Sequence, residues 1–141
     1  MGTTHSKAGA EPLALQAEDA YLVKQHVLHT LVLDVLERDS QRLSRSPLKM
    51  GHIYVETLRH ARREADAQML QIRKQFHRRG IKIFAEERQP HGVRVKYLCR
   101  GYEHSFYMLR GLLRTEVTSL MKRYLHLADE AEARNIPTDQ V

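Results

Sequence analysis

The chain has little of what secreted and membrane-spanning proteins need. It carries a single cysteine, Cys99, among 141 residues. An internal disulfide is therefore excluded, and we expect a reducing, cytoplasmic compartment. No apolar run reaches the roughly 18 residues that a membrane-spanning helix requires, and we expect no association with membranes. A chain of this length buries enough apolar surface to fold without disulfides or a structural metal.

Motifs for catalysis and metal binding are also missing. The nine histidines do not form the close pairs of structural zinc sites, and neither an HExxH nor a CxxC motif is present. Glu86 and Glu87 are adjacent on a predicted strand, so their side chains point to opposite faces. Cys99 alternates with apolar residues, a pattern typical of a small core residue. The sequence therefore predicts a non-enzymatic protein without a metal or cofactor.

Few glycines and prolines interrupt the chain, and between them apolar residues recur at three- and four-residue steps. This spacing predicts a first helix over residues 18–38, followed by a polar connection over residues 39–45. Ser46 and Pro47 together predict the start of a second helix, a capping hydroxyl and a proline at the first helical position. Gly80 is a suitable C-terminal cap, so we expect one long central helix.

The second helix contains a seam with a seven-residue repeat. Such a seam packs either against the other helices of its own fold or against a second copy of the chain. A homodimer would use Val55, Leu58, Ala65, Met69, Ile72 and Phe76.

Two alternating segments follow the second helix and flank a Gln89-Pro90-His91-Gly92 turn. They predict a β-hairpin over residues 81–100. A third helix is predicted from Tyr102 to at least Leu127. The predicted fold class is mainly α with a small β-hairpin, in the order α-α-β-β-α. We expect a single compact helical domain over residues 17–134, with a flexible arm over 1–16 and a flexible tail over 135–141.

Positive charge is concentrated around the hairpin. Residues 73–100 contain nine Lys or Arg and two acids, a net charge of +7, whereas the whole chain carries +6. Basic residues at a helix end beside a β-ribbon are typical of surfaces that contact a phosphate backbone. The predicted nucleic-acid-binding residues are Arg73, Lys74, Arg78, Arg79, Lys82, Arg94, Lys96 and Arg100.

Two functions fit these patterns. The first is a small cytoplasmic regulatory protein that binds nucleic acid, either DNA or RNA, through the basic residues. The second is a helical protein–protein interaction module, an adaptor or a dimerisation unit, that binds an acidic protein partner. The same charges also suit a solvated face whose residues pair with each other or with a helix dipole. The choice depends on which face of the hairpin is open to solvent.

Overall fold

The computed structural model describes residues 11–127. Within them the chain forms a helix-helix-strands-helix arrangement, which confirms the predicted mainly α fold with a small β element. A third strand is present in addition to the predicted hairpin. Residues 1–10 of the predicted arm and the predicted tail over 135–141 lie outside the described residues. Residues 13–16, predicted as part of the arm, are helical, and the last helix ends at Tyr124 and does not reach Leu127. The elements are α1 (Leu13–Arg45), α2 (Gly51–Arg79), β1 (Ile81–Gln89), β2 (Gly92–Cys99), β3 (Tyr102–Leu109) and α3 (Arg110–Tyr124).

The two long helices pack side by side as a helical hairpin. α1 has 33 residues and α2 has 29 residues, so they are about 50 and 43 Å long at 1.5 Å per residue. The predicted seam of α2 is buried or half-buried within the chain. Arg62, which interrupts the seam, pairs with Glu37 of α1. The seam therefore packs within the chain.

The boundary between α1 and α2 differs from the sequence prediction. The polar segment 39–45 is the end of α1, because no glycine or proline interrupts the helix before Pro47. Ser46 ends α1 and does not begin α2: its hydroxyl donates to the Arg42 carbonyl at 2.8 Å, and its backbone N–H donates to the Leu43 carbonyl at 3.2 Å. Proline after a helix C-terminus prevents its continuation. α2 begins at Gly51, four residues later than Pro47.

The predicted third helix is wrong over residues 102–109, which form β3. Arg100 and Gly101 have φ values of 51° and 86°. Positive φ at both central residues is the geometry of a two-residue hairpin turn. The chain therefore reverses, β3 pairs with β2, and the three strands form an antiparallel sheet in the order β1-β2-β3. Phe106, Leu109 and Leu113 recur at three- and four-residue steps, as on one face of a helix, which explains the error.

One face of the sheet packs on the helices and the other is open to solvent. Val95, Tyr97 and Cys99 of β2 are buried, as their alternation predicts, so Arg94 and Lys96 lie on the opposite face. A register shift between Ile83 and Ala85 marks a β-bulge in β1.

Candidate nucleic-acid interface

The structure divides the eight predicted binding residues into three groups. Arg79 and Arg100 lie among carboxylates. Arg94 and Lys96 lie on the solvent face of the sheet, each in contact with a neighbouring side chain. The remaining four are exposed and have no carboxylate within 4.0 Å among residues 11–127; they are Arg73, Lys74, Arg78 and Lys82.

A buried carboxylate organises the first group. Asp19 is 1% exposed, and its Oδ2 lies 2.6 Å from Arg100 Nη2 while its Oδ1 lies 3.4 Å from Arg79 Nη1. Arg79 Nη2 also lies 2.9 Å from Glu18 Oε2. Arg100 Nε lies 2.8 Å from Glu11 Oε2. These five residues, Glu11, Glu18, Asp19, Arg79 and Arg100, form the Asp19 cluster, in which three carboxylates neutralise two guanidinium groups.

The Asp19 cluster joins the start of α1, the end of α2 and the turn between β2 and β3. Arg100 Nη1 donates to the Arg79 carbonyl at 2.6 Å, and the Arg100 backbone N–H donates to the Gly80 carbonyl at 2.9 Å. These bonds satisfy carbonyl groups that a helix end leaves without intrahelical donors. Hydrogen bonds to Glu18 and Asp19 raise the pKa of Arg79, and those to Glu11 and Asp19 raise the pKa of Arg100. Both residues therefore hold the fold together.

Sequence reasoning missed this cluster for a physical reason. Asp19 is separated from Arg79 by 60 residues and from Arg100 by 81, so no local spacing relates them. Glu11 falls in the predicted arm, and Asp19 in the first turn of a predicted helix looks like an ordinary partner of the helix dipole. Only the burial of Asp19 distinguishes the two arginines from the neighbouring cations.

Cys99 lies beside the Asp19 cluster and is fully buried. Burial, together with the negative charge of Asp19, raises the pKa of the Cys99 thiol to about 12. The thiolate is the nucleophilic form of cysteine, and at neutral pH this thiol stays protonated. Cys99 therefore acts as a small core residue, as its alternation with Val95 and Tyr97 predicts.

The four free cations lie within ten residues at the end of α2 and the start of β1, and we call them the helix-end patch: Arg73, Lys74, Arg78 and Lys82. The first three lie in the last two turns of α2, and Lys82 lies at the start of β1. No acidic residue occurs between Asp66 and Glu86. The patch therefore presents positive charge without a nearby carboxylate in the same stretch of chain.

The solvent face of the sheet extends the helix-end patch. Lys82 is paired in register with Leu98, and Leu98 shares its face with Lys96 and Arg94. The Arg94 guanidinium lies 5.4 Å from the centroid of the Tyr107 ring, a cation–π geometry. Lys96 Nζ lies 3.4 Å from Glu87 Oε2 in an exposed ion pair. Exposed pairs of this kind contribute at most about 1 kcal/mol, so a phosphate can compete for these cations.

His29 and Tyr124 form a buried hydrogen-bonded pair between α1 and α3. His29 Nδ1 lies 2.7 Å from the Gln25 carbonyl, and Nε2 lies 2.6 Å from the Tyr124 hydroxyl. A carbonyl oxygen only accepts, so Nδ1 carries the proton and Nε2 accepts from the Tyr124 O–H. Burial lowers the pKa of His29 from 6.5. The neutral imidazole is therefore the form that fits this site.

The His29 site predicts that acidification destabilises the protein. Its lowered pKa means that the unfolded chain binds a proton that the folded chain does not, in the window between the folded pKa and 6.5. Burial also lowers the pKa of His26, which acts in the same direction. The free energy of unfolding should be highest above pH 6.5 and fall as the pH drops through this window. Urea denaturation at a series of pH values measures this slope.

Two variants test the assignment. His29→Gln should flatten the slope of unfolding free energy against pH, because it removes the titrating group. Tyr124→Phe should keep most of the slope, since burial is the main cause of the lowered pKa of His29, while costing about 1–3 kcal/mol for the unsatisfied ring nitrogen. An unchanged slope in His29→Gln would contradict the assignment.

Among residues 11–127, no three His, Cys, Asp or Glu side chains converge in a way that could hold a metal ion. Over the same residues, no helix has a stretch long and apolar enough to cross a bilayer.

The match to known protein families covers nearly all of this fold. Residues 14–129 match the family model described as YhjD protein. The chain belongs to the YhjD family. It is similar to the uncharacterized protein YhjD of Bacillus subtilis (strain 168), with 24% identity over 115 residues, 82% of this chain and 96% of that protein. No solved structure matches. The YhjD match includes the whole helix-end patch and every member of the Asp19 cluster except Glu11.

Proposed function

We propose that this YhjD-family chain is a small, cytoplasmic, non-enzymatic regulatory protein that binds nucleic acid through the helix-end patch. The observation that carries the proposal is the contrast between neighbouring cations. Arg79 and Arg100 are neutralised by carboxylates, whereas Arg73, Lys74 and Arg78 are exposed and unpaired within the described residues. Unpaired surface cations gain most from phosphate contacts, because counterions are released from the nucleic acid when a phosphate is neutralised.

The arrangement of the patch suits a phosphate backbone. Lys74 and Arg78 are four residues apart on α2 and therefore project from the same side of the helix. Lys82 carries positive charge from the helix end onto the sheet, where Arg94 and Lys96 share the solvent face with Glu87 and Glu103. Contacts of this kind fix the position of the protein on a nucleic acid without reading its sequence. Charge neutralisation is therefore the mechanism we propose.

Charge reversal within the patch tests this function. Arg73→Glu combined with Arg78→Glu should weaken binding to a labelled oligonucleotide by at least about tenfold and lower the slope of log affinity against log salt by about two. Fluorescence anisotropy at several salt concentrations measures both quantities, with single- and double-stranded probes. Arg79 is left unchanged in this test because it is bound to Glu18 and Asp19.

A matched control separates patch binding from net charge. Arg114 and Arg110 are exposed on α3, and Arg110→Glu with Arg114→Glu changes the net charge by the same amount. This control should keep most of the affinity and the salt slope. Equal losses in both double variants would mean that net charge alone drives association. Wild-type protein that binds no probe at low salt would refute the proposed function. Circular dichroism checks that each variant remains folded.

The interaction module is the second candidate, and one observation favours it. Phe84 is 44% exposed at the bulge of β1, two residues from Lys82. An exposed aromatic residue beside a cation is a common anchor for a protein partner. In that case the acidic protein would dock on the same surface, and Phe84→Ser would weaken its binding.

A further inference from the structure

The loop between α1 and α2 carries an exposed apolar surface at the end of the helical hairpin opposite the helix-end patch. Four large apolar residues within seven positions have 42–50% of their surface exposed, and we call them the apolar tip: Leu48, Met50, Ile53 and Tyr54. Scattered exposed apolar residues are normal, but a contiguous group marks a site of interaction.

The apolar tip is held in place by its backbone. The Leu48 N–H donates to the Ser46 carbonyl at 2.8 Å, and the Ile53 N–H donates to the Met50 carbonyl at 3.0 Å. Gly51 is buried, and a Cβ added there would lie 3.4 Å from Leu48 Cβ. Backbone hydrogen bonds therefore fix the course of the loop, and its four apolar side chains are exposed on it.

Cations outnumber acids around the apolar tip. Residues 40–55 contain three cations and no Asp or Glu, and Asp39 and Glu56 flank this stretch. The cations, Arg42, Arg45 and Lys49, are all exposed. None of the three has a carboxylate within 4.0 Å among residues 11–127. An apolar projection with exposed cations close by in the chain complements a surface that has anionic headgroups over an apolar layer.

A lipid bilayer has this chemistry. Apolar side chains enter the boundary between headgroups and acyl chains, while Lys and Arg keep their charges at the level of the phosphates. Anionic lipids attract clustered cations within a Debye length of the surface. The apolar tip is the end of a projecting hairpin and not a groove, so it suits a deformable surface better than a partner helix or strand.

We propose that the apolar tip inserts into the surface of an anionic lipid bilayer. The sequence expectation of no membrane association rests on the lack of a long apolar run. Insertion at the surface needs no spanning helix, so the finding that residues 11–127 contain none does not oppose the proposal. The proposal goes beyond nucleic-acid binding and is independent of it. α2 has 29 residues, which separates the tip from the opposite end of the helix by about 43 Å at 1.5 Å per residue.

The absence of tryptophan from the chain allows a direct test. Ile53→Trp introduces a single reporter in the tip, and Leu70→Trp introduces one at a position of α2 that is 51% exposed. On vesicles of phosphatidylglycerol and phosphatidylcholine, fluorescence of the Ile53→Trp protein should shift to shorter wavelength and be quenched by brominated lipid. The Leu70→Trp protein should show neither change. With vesicles of pure phosphatidylcholine, the shift and the quenching of the Ile53→Trp protein should both be much weaker.

Cosedimentation with the same vesicles identifies the groups responsible. Leu48→Ser with Ile53→Ser should weaken binding at least about tenfold, since each loses buried apolar area, and Arg45→Gln with Lys49→Gln should also weaken it. Leu70→Ser, and Arg73→Glu with Arg78→Glu at the other end, should bind vesicles as the wild type does. No vesicle binding by the wild type, or equal binding by Leu48→Ser/Ile53→Ser, would overturn the proposal. So would a shift of the Ile53→Trp signal with an oligonucleotide or an acidic protein but not with vesicles.

Discussion

Replacing Asp19 with asparagine should lower the free energy of unfolding by about 1.5–3 kcal/mol, the range for a hydrogen bond to a charged group. The loss stays in this range because Arg79 and Arg100 are partly exposed and keep Glu18 and Glu11 as partners. The carboxylate is 1% exposed and faces two guanidinium groups, with Arg100 Nη2 at 2.6 Å. Asparagine keeps the shape of the side chain but removes its negative charge. Its NH₂ group, a donor, replaces one of the two acceptor oxygens of Asp19. Two cations would then face each other without the carboxylate that separates them.

Urea denaturation followed by circular dichroism measures this loss. Asp34→Asn is the matched control, because Asp34 is exposed and pairs with Arg38 one turn along α1 at 3.2 Å. An exposed pair of this kind contributes at most about 1 kcal/mol, so the control should remain close to wild type. A change below about 1 kcal/mol in Asp19→Asn would show that Arg79 and Arg100 do not depend on this carboxylate.

Gly92→Ala should destabilise the sheet by about 3 kcal/mol or more, at or beyond the upper end of the cost of overpacking a core. A Cβ at position 92 would lie 2.1 Å from the Met108 carbonyl oxygen and 2.9 Å from the Tyr107 ring. The carbonyl belongs to the β3 backbone, so β2 and β3 must separate to make room. The glycine is required here by the close approach of two strands and not by its backbone angles.

Gly111→Ala is the matched glycine-to-alanine control, and we expect it to stabilise the protein where Gly92→Ala destabilises it. Position 111 lies in the first turn of α3, and nothing lies within 4 Å of an added Cβ. Alanine in a helix is favoured over glycine by about 0.5–1 kcal/mol, so this variant should be slightly more stable than wild type. Thermal denaturation of both variants checks the pair. Similar unfolding temperatures for the two would contradict the assigned clash.

The features that could be predicted from sequence are those set by local periodicity. Alternation in β2 correctly placed Cys99 and Val95 on the buried face, and Gly80 correctly ended α2. The errors occur where two local patterns coincide. The Ser46 hydroxyl fits the start of one helix as well as the end of another, and only its 2.8 Å bond to the Arg42 carbonyl decides between them.

The candidate site was less predictable than the fold, because the effect of a charge depends on distant partners. Counting cations treats Arg78 and Arg79 alike, although they are adjacent. In the structure Arg79 reaches Asp19, 60 residues earlier, whereas Arg78 is exposed. No spacing rule relates residues that far apart, so the sequence predicts where positive charge is concentrated but not which cations remain free to bind.

The Asp19 cluster also constrains the order in which the chain can become stable during synthesis. The helical hairpin of α1 and α2 is made from neighbouring segments, and contacts between such segments form early. Arg79 could then reach Asp19, but Arg100, whose Nη2 is the nearer partner at 2.6 Å, is still missing. A chain truncated after α2 would contain Asp19 and Arg79 but not Arg100, so the Asp19 carboxylate would have one of its two cationic partners. The long helices therefore depend on the last turn of the sheet, and we expect the folding of residues 11–127 to be all-or-none.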